Sequence, residues 1–188
     1  MKTCVFITGT NAVGKSSLAK ALIARYGGIK SASKTLTVCR NERVCLAGHY
    51  ENGRKYGGVD GFNQTKCLES VVREGLSSHD IILCEGMYLH TFGINLTNAA
   101  FVADRQLLVF LYCPVQEIHR RLLERSGKGL TNDAVWKKQL NCATAAKKWA
   151  SIGVPVLSID TSQIGTDAAA QMVINKIDEL CGVSTTAI

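Results

Sequence analysis

The sequence predicts an α/β protein, organised as a three-layer α/β/α sandwich around a five-stranded, mostly parallel sheet. Short runs of apolar residues alternate along the chain with longer stretches whose apolar residues recur at helical spacing. Most of the short runs are continuously apolar, which is typical of strands covered by helices on both faces, whereas residues 34–40 alternate between apolar and polar. Together these two patterns favour a parallel sheet enclosed by helices.

Each element can be assigned from its local pattern. The strands are predicted at residues 4–7, 34–40, 80–85, 106–112 and 154–159, and residues 43–47 either continue the sheet or open a hairpin. The first helix is predicted to follow the glycine loop and to end at about residue 26. Further helices are predicted at residues 62–77, 115–125, 131–150 and 166–181. No linker, repeat or low-complexity tract interrupts this order, so residues 1–188 are predicted to form a single domain.

Composition excludes several classes of protein. Hydrophobic residues make up 46% of the chain and charged residues 20%, which is typical of a globular protein and excludes a disordered one. No apolar run approaches the roughly 18 residues that cross a bilayer, so no membrane partner is expected. The eight cysteines form no C-x-x-C pair and show no zinc-site spacing, which predicts reduced thiols and a cytoplasmic location.

Positive charge is concentrated in two segments. Residues 1–60 contain ten Lys and Arg against three Asp and Glu, and residues 114–153 contain eight against three. The remaining segments are net acidic, although the whole chain has a formal charge of +7. This distribution predicts a surface that meets phosphate groups, either those of a nucleotide or those of a polyanionic acceptor.

A phosphate-binding loop is predicted directly after the first strand. Residues 9–16 read GTNAVGKS and match G-x-x-x-x-G-K-[ST] at every fixed position. Backbone N–H groups of such a loop point inwards and the following helix adds its dipole, so a nucleoside triphosphate is the expected ligand. The expected ATP-binding residues are Gly9, Thr10, Asn11, Ala12, Val13, Gly14, Lys15, Ser16 and Ser17. The Lys15 ammonium is expected to reach the β- and γ-phosphates, and the Ser16 hydroxyl to coordinate Mg²⁺.

An acidic residue ends the third predicted strand. Glu85 follows the apolar run 81–84 and is expected to organise Mg²⁺ through its water shell; the alternative is an ordinary acid at a strand end. No N-K-x-D-like segment follows a later strand, so a GTPase is disfavoured, and motor ATPases are usually larger than this chain.

Residues 112–128, with the sequence YCPVQEIHRRLLERSGK, follow the fourth predicted strand. This segment resembles P-loop kinases of the nucleotide-kinase type, in which a helix carries R-x-x-x-R into a mobile lid. The resemblance implies a P-loop NTPase fold with a helical lid at about residues 120–132. It also implies that Arg121 and Arg125, one helical turn apart, close over the triphosphate; the alternative is a solvated basic helix face. Residues 158–161 fall where related kinases contact adenine.

A single carboxylate stands among glycines in residues 55–62, KYGGVDGF. In kinases of this type that act on alcohols, an aspartate between the second strand and the next helix accepts the proton of the attacking hydroxyl. The resemblance therefore implies this role for Asp60, whose glycine neighbours would let a substrate approach. The alternative is an aspartate that closes a turn or caps a helix. The segment 43–62 is the expected acceptor-binding region, and its candidate residues are His49, Tyr50, Arg54, Tyr56 and Asp60.

The run LAGHYENGRKYGGVDGF at residues 46–62 resembles phage-encoded 5-hydroxymethyluracil DNA kinases. This resemblance implies an ATP- and Mg²⁺-dependent kinase that phosphorylates the hydroxymethyl group of a modified base in DNA, acting in the host cytoplasm if the protein is phage-encoded. Two alternatives stay open. One is a kinase of a nucleoside, nucleotide or other metabolite, and the other is a P-loop NTPase or binding module that transfers no phosphoryl group.

Overall fold

A computed structural model describes residues 1–51, 57–62, 67–127 and 129–182 of the chain. Seven strands and six α-helices are present in this part. The strands are β1 (Thr3–Thr8), β2 (Ile29–Ala32), β3 (Leu36–Cys39), β4 (Val44–Ala47), β5 (Ile81–Glu85), β6 (Arg105–Tyr112) and β7 (Val156–Asp160). The helices are α1 (Lys15–Arg25), α2 (Leu68–Ser78), α3 (Ile94–Ala100), α4 (Val115–Ser126), α5 (Asn132–Ser151) and α6 (Thr166–Cys181).

The strands form one sheet in the order β2-β3-β4-β5-β1-β6-β7. The five strands from β4 to β7 in this order run parallel, whereas β3 pairs antiparallel with β4 and β2 antiparallel with β3. The predicted mostly parallel α/β architecture is confirmed, but the predicted number of five strands was wrong. Strand β2 was missed because its sequence, Ile29-Lys-Ser-Ala32, lies at the sheet edge and needs no continuous apolar run.

Helices cover both faces of the sheet. One hydrophobic cluster joins the sheet to α1, α4 and α6, and includes Leu22, Ile118 and Val173. A second cluster joins the other face to α2, α3 and α5, and includes Trp149. Strand β1 lies at the centre and is buried along its whole length, which is why its side chains are apolar or threonine.

Two regions differ locally from the sequence prediction. Helix α2 begins at Leu68 rather than at residue 62, and Val59–Gly61 form a separate 3₁₀ turn. A further helix, α3, precedes β6 in a region where none was predicted. Among the described residues, none of the helices combines the length and the apolar character needed to cross a membrane.

Candidate active site

The carboxyl ends of the parallel strands open into a cleft of about 670 Å³. Ligands of open α/β sheets commonly bind at this edge, because loops from several neighbouring strands converge there. The cleft brings together ten of the residues singled out from the sequence: Asn11, Ala12, Gly14, Lys15, Ser16, Ser17, Asp60, Glu85, Arg121 and Arg125.

The phosphate loop runs from β1 into α1. Gly9 has a φ of 149°, and a Cβ there would lie 2.4 Å from the carbonyl oxygen of Leu111, so the loop can leave the sheet only with glycine at this position. Gly14 has a φ of 94° and directly precedes α1. Of the predicted nucleotide-binding residues, Asn11, Ala12, Gly14, Lys15, Ser16 and Ser17 line the cleft, whereas Gly9, Thr10 and Val13 are buried.

The Lys15 ammonium is buried at the floor of the cleft. It donates hydrogen bonds to the carbonyl oxygens of Gly9 at 3.0 Å and Thr10 at 2.9 Å. Burial lowers the pKa of Lys15, while the nearby carboxylates of Glu85 and Asp60 act in the opposite direction. These carbonyl contacts hold the ammonium inside the loop, from where it can turn towards a phosphate.

Glu85 connects the phosphate loop to the segment that follows β4. Its side chain is buried, with Oε1 accepting from the Ser16 hydroxyl at 3.2 Å and Oε2 accepting from the Tyr50 hydroxyl at 3.1 Å. Burial raises the pKa of Glu85, against the opposing effects of Lys15 and the Tyr50 hydrogen bond. Ser16 and Glu85 therefore present neighbouring oxygen atoms, the ligand type that Mg²⁺ prefers, so these residues fit such an ion.

Asp60 faces the cleft from the 3₁₀ turn between β4 and α2. Its carboxylate accepts hydrogen bonds from the backbone N–H of Met87, at 2.7 Å to Oδ1 and 2.8 Å to Oδ2, and from that of Tyr88 at 3.3 Å. The carboxylate thus ties the loop after β4 to the loop after β5. Met87 and Tyr88, which also line the cleft, were not singled out from the sequence.

The two arginines of α4 occupy different environments. Arg121 donates to Glu117, to the Ala12 carbonyl oxygen, and to both the hydroxyl and the carbonyl oxygen of Thr161. Arg125 is exposed and lines the cleft, and its guanidinium has no ion-pair partner among the described residues. Arg121 therefore bridges three elements, whereas Arg125 is available to an anion that enters the cleft.

A second cavity, of about 370 Å³, adjoins the first on the other side of Arg121. Its walls come from the phosphate loop, the start of α1 and the connection from β7 to α6, and include Val13, Leu18, Thr161 and Ile164. The cavity continues from the phosphate loop and combines apolar walls with polar groups such as Thr161 and Thr166, a mixture that can accommodate a nucleotide base.

Three of the glycines around Asp60 allow backbones to touch. A Cβ on Gly58 would lie 2.2 Å from the carbonyl oxygen of Glu85, and one on Gly48 would lie 2.6 Å from the backbone nitrogen of Gly58. A Cβ on Gly86 would lie 2.7 Å from Oδ1 of Asp60. Of the glycines beside Asp60 in sequence, Gly58 therefore lies in direct contact with other protein atoms, and the expectation that this segment leaves room for substrate stays a prediction.

The predicted acceptor-binding residues do not form one group. Tyr50 is buried behind Glu85 and is not part of the cleft lining, so the structure does not bring it together with the other candidate residues at the cleft surface. His49 contacts the Ser33 carbonyl oxygen through Nδ1 at 2.6 Å and the Glu51 carboxylate through Nε2 at 2.7 Å, and it also lies outside the cleft lining. Arg54 and Tyr56 lie outside the described residues.

Solved structures with the same architecture include several kinases. The chain superimposes on a gluconokinase from Sinorhizobium meliloti 1021 with a TM-score of 0.58, at 16% identity, covering 98% of both chains. The fold is that of the P-loop kinases. Shikimate kinase from Acinetobacter baumannii, solved with shikimate, gives a TM-score of 0.52 at 17% identity and covers 95% of this chain and 94% of its own. The YorR protein from Bacillus subtilis, solved with phosphorylated GDP, gives 0.59 at 12% identity, with 93% and 95% covered.

These likenesses establish the fold alone, because one fold supports many activities. No protein-family model matches the sequence. The comparison with curated proteins gave no match either.

Proposed function

We propose that the protein is an ATP- and Mg²⁺-dependent kinase that transfers the γ-phosphoryl group to a hydroxyl of a small molecule. The observation that supports this proposal most is the convergence of Lys15, Ser16, Glu85, Asp60 and Arg125 on one cleft beside a base-sized cavity. A protein that only binds a nucleotide needs the phosphate loop but has no need of a carboxylate and a free arginine facing it. The P-loop kinase fold agrees with this activity.

The residues suggest one course for the reaction. The triphosphate lies in the phosphate loop, with the Lys15 ammonium at its β- and γ-phosphates and the base in the smaller cavity. Bound Mg²⁺, held by Ser16 and through Glu85, would supply charge neutralisation between the β- and γ-phosphates. The acceptor oxygen attacks the γ-phosphorus, the bond from that phosphorus to the β–γ bridging oxygen breaks, and ADP leaves. Asp60 takes the hydroxyl proton, and Arg125 stabilises the transferring group.

In this proposal the protein is a single kinase domain spanning residues 1–188. Residues 120–132 serve as its lid and residues 43–62 contribute to the acceptor side. Helix α4 is packed into the core through both Ile118 and Leu122, so movement of the lid is expected only beyond Leu122, in the turn that carries Arg125.

The identity of the acceptor has two candidates. Kinases of small hydroxyl compounds among the structural neighbours favour a metabolite. The resemblance of residues 46–62 to 5-hydroxymethyluracil DNA kinases, together with the two basic segments, supports a modified base in DNA as the second candidate.

Transfer of label from [γ-³²P]ATP distinguishes these functions. The purified protein is incubated with a panel of sugars, hydroxy acids and nucleosides, and in parallel with DNA that contains hydroxymethyluracil or thymine. Label in a small molecule is the expected result, and label only in the modified DNA would establish the second candidate. Release of free phosphate without a labelled acceptor throughout the panel would contradict a kinase and indicate an NTPase.

The two arginines are expected to respond differently to substitution. Arg125→Ala should lower turnover by roughly 10²-fold while leaving the affinity for an ATP analogue nearly unchanged, since this arginine has a free guanidinium facing the cleft. Arg121→Ala should mainly weaken nucleotide binding and lower the melting temperature, because it removes the bridge to Ala12 and Thr161. Steady-state kinetics, calorimetry and thermal unfolding measure the three quantities.

Arg120→Ala is the matched control for this pair. Arg120 lies on the same helix, carries the same charge and pairs with Glu117 and Glu124 at the surface. Its replacement should leave both turnover and nucleotide affinity close to wild type. Equal losses in all three variants would mean that the arginines act only through the general charge of α4.

A further inference from the structure

Tyr50 is a buried tyrosine with a defined partner at each end. It follows β4, and only 5% of its surface is exposed. Its backbone N–H donates to the Thr37 hydroxyl at 2.9 Å, and its own hydroxyl donates to Oε2 of Glu85 at 3.1 Å. The Thr37 hydroxyl in turn donates to the Gly48 carbonyl oxygen at 2.9 Å. The tyrosine is therefore fixed to strand β3 at its backbone and to the edge of the cleft at its tip.

The Glu85 carboxylate is held at both oxygens. Ser16 donates to Oε1 and Tyr50 donates to Oε2, so the two oxygens have different roles. The terminal torsion of a glutamate is intrinsically broad, and one hydrogen bond would leave the group free to rotate. Because Tyr50 holds Oε2 in a buried position, Oε1 stays directed towards Ser16 and the phosphate loop.

The loop containing Gly57 and Gly58 encloses this arrangement. A Cβ on Gly57 would lie 2.5 Å from Cε1 of the Tyr50 ring, and a Cβ on Gly58 would lie 2.7 Å from Oε2 of Glu85. The ring and the carboxylate are therefore in direct contact with backbone, which leaves no room for a side chain. This packing restricts the space into which the ring and the carboxylate could shift.

We propose that Tyr50 is a positioning residue, whose hydroxyl orients the Glu85 carboxylate towards Ser16 and thereby sets the affinity of the site for the divalent cation that accompanies the nucleotide. This inference rests on the proposed kinase function and assigns a specific role within it. Hydrogen-bond partners of metal-binding groups commonly change metal affinity or activity by about 10- to 100-fold when they are removed. Tyr50 reaches the cation only through Glu85, so it acts without touching substrate.

Tyr50→Phe tests this role, because it removes the hydroxyl and keeps the ring. Electron paramagnetic resonance can monitor the binding of Mn²⁺ to the protein in the presence of a non-hydrolysable ATP analogue. The affinity for Mn²⁺ should fall by about tenfold or more in this variant. The Mg²⁺ concentration for half-maximal phosphoryl transfer should rise by a similar factor, and the acceptor KM should stay unchanged. Tyr26→Phe is the matched control, since Tyr26 is also partly buried but lies at the end of α1, where its substitution should leave Mn²⁺ binding unchanged.

The outcomes separate this inference from the proposed function. Wild-type Mn²⁺ affinity in Tyr50→Phe, with or without a lower melting temperature, overturns the positioning role even when wild-type protein is an active kinase. Weaker Mn²⁺ binding in Tyr50→Phe but not in Tyr26→Phe supports it. If Mn²⁺ binding is weaker in Tyr50→Phe but the wild-type protein phosphorylates no acceptor, the positioning role is retained and the proposed kinase activity is rejected.

Discussion

Replacing Lys15 by alanine is expected to lower the rate of phosphoryl transfer by about 10³-fold or more, since a preorganised cation at the transferring phosphate is lost. The ammonium is buried in the phosphate loop, where the carbonyl oxygens of Gly9 and Thr10 hold it beside the cleft. Water cannot replace this charge well, because a water molecule supplies a dipole rather than a full positive charge. Turnover at saturating ATP and acceptor is the quantity to measure.

Lys20→Ala is the control for Lys15→Ala. Lys20 lies on the same helix five residues further on, but it is exposed and does not line the cleft. Its substitution should leave turnover near wild type. Full activity of Lys15→Ala, in protein whose thermal unfolding is normal, would contradict the assignment of the phosphate loop as the site of the transferred group.

Asp60→Asn is expected to lower turnover by roughly 10²- to 10³-fold, because the substitution removes the carboxylate that we propose accepts the hydroxyl proton. The affinity for an ATP analogue should change little, since the phosphate loop is untouched. Asparagine keeps one oxygen that can accept from the Met87 N–H, so most of the anchor between the two loops survives. Comparing turnover, analogue affinity and melting temperature separates chemistry from loop anchoring.

Asp104→Asn provides the matched control. Asp104 also accepts a hydrogen bond from a backbone N–H, that of Lys2 at 2.7 Å, but it lies outside the cleft lining. Its replacement should leave turnover unchanged. If Asp60→Asn lowers only the melting temperature, as a lost turn contact would, Asp60 is structural and the proton leaves directly to solvent.

The sequence was sufficient to predict those parts of the fold whose conformation is set by residues close together along the chain. The phosphate loop was predictable because its pattern lies within eight residues, and strands such as β6 were predictable because they are continuously apolar. The edge strand β2 was not predictable, because it pairs with a neighbouring strand on one side only and therefore tolerates polar residues. The strand count was wrong because this strand was missed and because residues 43–47, which form β4, were left open as either a continuation of the sheet or a hairpin.

In the candidate site, too, some features could be predicted from the sequence and others depended on the tertiary structure. Glu85 could be singled out as an acid at a strand end and Asp60 as a lone acid among glycines, but the partners of Asp60 could not, because the backbone N–H groups of Met87 and Tyr88 carry no sequence signal. Tyr50 was assigned to the acceptor side from its neighbours in sequence. Its burial depends on how the loop at Gly57 and Gly58 folds over it, which only the tertiary structure shows.

The register of β1 against β5 has a consequence for changing what the protein acts on. Ile7 pairs with Glu85 in this ladder, so the phosphate loop and the acid opposite it emerge from adjacent central strands. Their separation follows from the spacing of about 4.8 Å between neighbouring strands, and hence from main-chain geometry that surface substitutions do not alter. In the proposed kinase, redesign of the acceptor side in the loops after β4 and β5 would therefore have to keep Tyr50, Gly57 and Gly58, which hold Glu85 beside the phosphate loop.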